Sequence, residues 1–104
     1  MKKILVLLLM CCPMLSFASD PVVVGQKDKA FTVKEVEIKV GDSVRFLNED
    51  PFFHNVFSLS DAALFDLGSF PKDEYRDITF DTAGDVEVEC AIHPSMKMVI
   101  HVKE

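Results

Sequence analysis

Apolar and polar positions alternate along most of the chain in short runs broken by turn residues, the pattern of half-buried strands. Val22-Val23-Val24 is β-branched and stops at Gly25. Phe31-Thr32-Val33 opens a second run, which continues into Val36-Glu37-Ile38-Lys39-Val40. There apolar and charged residues alternate strictly, one face turned to a core and the other to water. Gly41-Asp42 marks a turn, residues 43–47 resume as a strand, and Asn48-Glu49-Asp50-Pro51 breaks it. Residues 54–59 form the next extended run. Ser60 is placed to cap a short helix through Leu64 or Phe65 that Gly68 would stop, with a structured loop as the alternative. Residues 75–80 and 86–90 read as further strands, separated by the turn Asp81-Thr82-Ala83-Gly84-Asp85. The chain closes on residues 98–102, where Met98, Ile100 and Val102 share one face. Close spacing, little helix and no repeat or linker predict an all-β antiparallel sandwich or small barrel of about seven to eight strands, with at most one short helix.

Residues 4–15 break the pattern, being almost wholly apolar. They follow Met1-Lys2-Lys3 and precede Ser16-Phe17-Ala18, whose small residues stand where a signal peptidase reads. The run is short for a membrane span. Met10 before Cys11 also argues against a lipoprotein start, which wants a small residue there. The expectation is a cleaved signal peptide over residues 1–18, export to the periplasm, and one domain over residues 19–104.

Without Lys2 and Lys3, 9 basic side chains face 17 acidic ones, a net charge of −8. Nucleic acid and anionic membrane both reward clustered Lys and Arg, so this balance argues against either as a partner. Asp61, Asp66, Asp73, Glu74 and Asp77 make a solvated face at the least, and one able to steer a basic partner.

Three cysteines become one when the leader is removed, because Cys11 and Cys12 leave with it. Small exported domains generally use cysteines in pairs. Cys90 alone is therefore buried and inert, reactive, or held by a metal. Its neighbours favour the metal: Cys90-Ala91-Ile92-His93-Pro94-Ser95-Met96 sets a thiol, an imidazole and a thioether within seven residues, in a loop between strands. Thiolate and imidazole suit a borderline or soft ion, and a weak thioether narrows the choice toward copper. Zinc competes, but a closed zinc site wants more than one Cys or His pair. His54, 36 residues upstream and at the start of a strand, is the best candidate for a second imidazole.

With these residues in view, the sequence resembles the cupredoxins, the small type 1 copper proteins of plastocyanin and amicyanin type. Phe53-His54-Asn55-Val56 is similar to the family's Pro-His-Asn-Val segment, with Phe53 in place of the Pro. The stretch from Asp81 to Val88 and the Cys-x₂-His-Pro-x-Met spacing match as well. The resemblance implies a Greek-key β-sandwich with one copper ion at one end, ligated by His54, Cys90, His93 and a methionine. It also implies that Asn55 ties the first His segment to the Cys loop. Met96 lies at the amicyanin offset from Cys90 and Met98 at the plastocyanin offset. Strand phasing favours Met96 and turns Met98 to the core with Ile100 and Val102.

Other residues divide between plain and functional roles. His101 alternates out of the core face and reads as a surface histidine. Phe52 and Phe53, beside His54, are core residues or an apolar rim around the metal. Neither a general base nor an open water position is visible, which argues against an enzyme. The expected role is a monomeric, soluble one-electron carrier with a protein redox partner, a cytochrome or an oxidoreductase. The alternative is copper sequestration, resistance or delivery, motivated by Met96-x-Met98 and His101.

Overall fold

The computed structural model describes residues 20–104; the signal peptide expected over residues 1–18 lies outside the described residues. Nine strands succeed one another, and no helix occurs among the described residues. They are β1 (Val22–Lys27), β2 (Ala30–Phe31), β3 (Glu35–Lys39), β4 (Ser43–Asn48), β5 (His54–Ser60), β6 (Ala63–Phe70), β7 (Tyr75–Thr79), β8 (Gly84–Glu89) and β9 (Lys97–Lys103). Two sheets form, one in the order β2-β1-β4-β7 and the other in the order β3-β9-β8-β5-β6. Both are mixed: β1 runs parallel to β4 and β3 parallel to β9, while the remaining pairs are antiparallel. The all-β sandwich expected from the alternation is the fold observed.

The strand count exceeds the expected seven to eight for two reasons. The run expected to continue from Phe31 into Val36 is divided, β2 pairing in one sheet and β3 in the other. In addition, the short helix considered after Ser60 is strand. Ala63, Phe65 and Leu67 turn toward the core while Leu64 and Asp66 face out, a period of two that a helix cannot bury on one side. Ser60 caps nothing helical; its Oγ accepts the Glu87 backbone N–H at 2.9 Å. Gly68 kinks the strand instead of ending a helix: at φ 75° it sits in a bulge where Leu67 and Gly68 together oppose Val56. That kink helps blunt an edge strand otherwise open to pairing.

The core lies between the sheets and is built from the inward residue of each alternation. Val24, Val44, Phe46, Val56, Phe70, Val86, Val88 and Ile100 are fully buried. Each such side chain contributes about 1.5–3 kcal/mol through loss of apolar surface to water. Along β8 the inward row is Val86 and Val88, and Cys90 continues its parity just past the strand end. Along β5 it is His54, Val56 and Ser58. Both rows therefore deliver a heteroatom to the core at the same end of the sandwich.

Candidate metal centre

His54 is fully buried, although histidine is usually left half-wet, and its two ring nitrogens have separate tasks. Nε2 donates to Asp50 Oδ2 at 2.7 Å. That bond fixes the tautomer and leaves the Nδ1 lone pair facing Cys90 Sγ, 3.7 Å away. Asp50 is itself held by more than the imidazole: its carboxylate accepts the backbone N–H groups of Asp28 and Lys29 at 2.8 and 3.0 Å. Those two residues form the β1–β2 turn with φ of 55° and 59°, the left-handed pair that a two-residue hairpin requires. Burial pushes the Asp50 carboxyl upward, but the hydrogen bonds from His54, Lys29 and Asp28 outweigh it and hold it below the ordinary carboxylate range.

The Cys90 loop converges on the same point. Cys90 is buried and free of any disulfide. His93 turns inward, and its Nδ1 is buried without a hydrogen-bond partner. One donor atom each from His54, Cys90 and His93 lies within 4.8 Å of the others. Two imidazole nitrogens and a thiol sulfur so grouped, one nitrogen otherwise orphaned, fit a single copper ion: the donor set is soft enough for Cu(I) and nitrogenous enough for Cu(II). The loop is tied at both ends. The Ala91 N–H donates to Asn55 Oδ1 at 2.7 Å, the tie expected of Asn55, and the Met96 N–H donates to the His93 carbonyl at 2.8 Å.

Both methionines are buried, but at different heights in the sandwich. Met98 stands opposite Val88 in the β8–β9 register, and the last pair toward the loop is Glu89 with Lys97. His101 lies on the outer face, where it bridges Asp85 from Nδ1 at 2.7 Å and Glu35 from Nε2 at 2.8 Å. Bonds to Asp85 and then Glu35 raise its pKa above the ordinary histidine value.

Two sequence expectations change in detail. Phe52 is more than rim: its ring centroid lies 5.3 Å from that of His54 and 5.2 Å from that of His93. Phe53 is exposed, as a rim residue would be. Three of the five acidic residues have partners of their own. Asp77 pairs with Arg45 at 2.8 Å, Glu74 with Arg76 at 3.4 Å, and Asp66 accepts the Gly68 N–H. Sequence reasoning passed over Asp50 and Asn48, which read as strand-breaking turn residues. Buried Asn48 donates from Nδ2 to the carbonyls of Phe52 and Phe70 and accepts the Asp50 N–H. The available signal was a carboxylate four residues before the candidate histidine.

Residues 18–103 match the model of the copper binding proteins, plastocyanin/azurin family. The chain is 33% identical to amicyanin of Paracoccus versutus over 82 residues, covering 76% of this chain and 62% of that protein. It is also 33% identical to amicyanin of Paracoccus denitrificans over 85 residues, covering 77% and 63%. The chain thus spans less than two thirds of the length of these amicyanins. Among solved structures, a reduced amicyanin variant superposes with a TM-score of 0.76 at 26% identity, over 85% of this chain and 87% of that one. A copper-containing nitrite reductase from Thermus scotoductus superposes with a TM-score of 0.79 at 31% identity, over 86% of this chain and 24% of that one.

Proposed function

The chain belongs to the plastocyanin/azurin family of copper-binding proteins, and we propose that it works as an exported, periplasmic one-electron carrier whose copper is held by His54, Cys90, His93 and Met96. The observation that carries this reading is the buried, partnerless Nδ1 of His93 beside a Cys90 thiol that already faces the His54 Nδ1 at 3.7 Å. Continuing the β8–β9 register one step past Glu89 and Lys97 sets Met96 opposite Cys90, which supports Met96 as the thioether that would join the copper ligands.

Bound copper would supply exchange between Cu(I) and Cu(II). The residues of the chain supply constancy. Asp50 fixes the His54 ring, Asn55 pins the residue after Cys90, and inward strand rows hold the sulfur and imidazole against core side chains. A site that moves little between oxidation states passes one electron with little reorganisation, and no bond in a substrate need be made or broken. A protein redox partner, a cytochrome or an oxidoreductase, would dock at the metal end. Of the features that motivated copper storage, Met98 stands opposite Val88, farther from the Cys90 loop than Met96, and His101 is held between two carboxylates.

The test is a Cu(II) titration of residues 19–104 followed by visible spectroscopy and ascorbate. One equivalent should give an intense thiolate-to-copper band that bleaches and recovers reversibly, and Cys90→Ser should abolish it. A colourless protein, or one that takes up several copper equivalents, would overturn the carrier.

A further inference from the structure

Phe52 sits one turn of chain before His54, yet its ring reaches past its own neighbour to the Cys90 loop. Three rings close a triangle: Phe52 with His54 at 5.3 Å, Phe52 with His93 at 5.2 Å, and His54 with His93 at 4.9 Å between centroids. The first and last contacts are edge-to-face and the second is tilted, geometries favourable to aromatic pairs. The imidazoles come from separate segments and touch each other along one edge, and the Phe52 ring packs against both.

Phe52 is held at two further points, its backbone by Asn48 and its ring by Lys29. Asn48 Nδ2 donates to the Phe52 carbonyl at 2.8 Å and to the Phe70 carbonyl at 2.9 Å, tying the backbone at Phe52 to the strand that pairs with His54. Lys29 Nζ stands 5.7 Å from the centre of the ring, within cation–π range. Lys29 is brought there by the turn whose backbone Asp50 grips.

We propose that Phe52 is a positioning residue for the copper centre: its ring, carried on a backbone that Asn48 holds and covered by Lys29, keeps both imidazoles in place for the metal before it arrives. This rests on the copper reading above and extends it. His93 belongs to a loop whose flanking residues Ile92 and Pro94 are exposed, and its unpartnered Nδ1 gives no polar hold on the ring. Packing against Phe52 and His54 supplies that hold. The consequence is a slower release of copper and a preformed site in the metal-free protein.

Phe52→Leu keeps apolar bulk and removes the ring faces; Phe52→Tyr keeps the ring and serves as the rescue. In metal-free protein, NMR of the wild type should show contacts from the Phe52 ring to both imidazoles and one sharp set of His93 ring resonances. Phe52→Leu should broaden or split the His93 set without altering the amide spectrum of β8 and β9. In copper-loaded protein, transfer of copper to a strong chelator should become about tenfold faster or more in Phe52→Leu and return to the wild-type rate in Phe52→Tyr. Unchanged His93 resonances, or a chelator rate within about twofold of wild type, would overturn the proposal, as would failure of the tyrosine to rescue. The metal-free measurement does not depend on which metal binds, so a wild type that failed to take copper would sink the carrier reading while leaving this test readable.

Discussion

His54 Nε2 and Asp50 Oδ2 lie 2.7 Å apart on the side of the ring turned away from Cys90. The carboxylate thereby orients the His54 ring while its other contacts close a left-handed hairpin turn, so a single buried side chain links the candidate metal centre to the β1–β2 connection. Asp50→Ala should destabilise the metal-free protein by about 1–3 kcal/mol, because the buried His54 ring N–H and the turn N–H groups of Asp28 and Lys29 lose their acceptor. In the same variant copper affinity should fall by about 10–100-fold. Chemical denaturation and chelator competition measure the two effects, and a change in stability with unaltered affinity would show that Asp50 serves the turn alone.

The two methionines should separate cleanly. Met98→Leu conserves volume in the core and should cost less than about 1.5 kcal/mol while leaving the copper spectrum unchanged. Met96→Leu should keep the thiolate band but shift its position and raise the reduction potential, because a weak donor is removed from the axis. Paired spectra and voltammograms decide the matter. A spectral change in Met98→Leu without one in Met96→Leu would reverse the assignment.

His101 should make stability depend on pH. Its pKa is raised in the folded state by hydrogen bonds to Asp85 and then Glu35. Its contribution is fully present below the unfolded value of about 6.5 and is lost as pH rises through the folded value. The gap in denaturation midpoint between wild type and His101→Gln should therefore be widest near pH 6 and narrow toward about pH 9. A gap that stays constant across that range would mean the bridge stabilises without its charge.

Asn48 joins three backbone groups through one amide, at Phe52, Phe70 and Asp50. Asn48→Ala leaves a buried acceptor or donor at each and should cost about 3 kcal/mol or more in unfolding free energy. Asn48→Asp should be no better, since a carboxylate cannot donate to the two carbonyls. Urea denaturation of the metal-free proteins checks both.

Much of the sandwich was legible because inward and outward residues alternate within single strands, as from Glu35 to Lys39, from Gly84 to Glu89 and from Lys97 to Lys103. The helix considered after Ser60 shows where local signals fail: a cap residue, five apolar or small positions and a following glycine fit either structure. The cross-strand partner His54 to Phe70 and the bulge at Gly68 settle it only in three dimensions. The residues that the structure groups at one end, His54, Cys90 and His93, stood out in the sequence because their types and spacing restrict the chemistry. Their supports did not. Asp50, Asn48 and Phe52 act through contacts with residues far away in sequence or through a ring direction, and a turn-like string such as Asn48-Glu49-Asp50-Pro51 hides a buried network behind ordinary loop composition.

The parallel pairing of β3 with β9 has a consequence for the order in which the sheet closes. β3 precedes the candidate metal residues in the sequence, yet in its sheet it borders only β9, which follows them. A chain in which His54, Cys90 and His93 have already met still lacks a seat for β3 until β9 is laid down beside β8. A pairing between segments so distant in sequence is slow to form, so the second sheet is completed by its most non-local step.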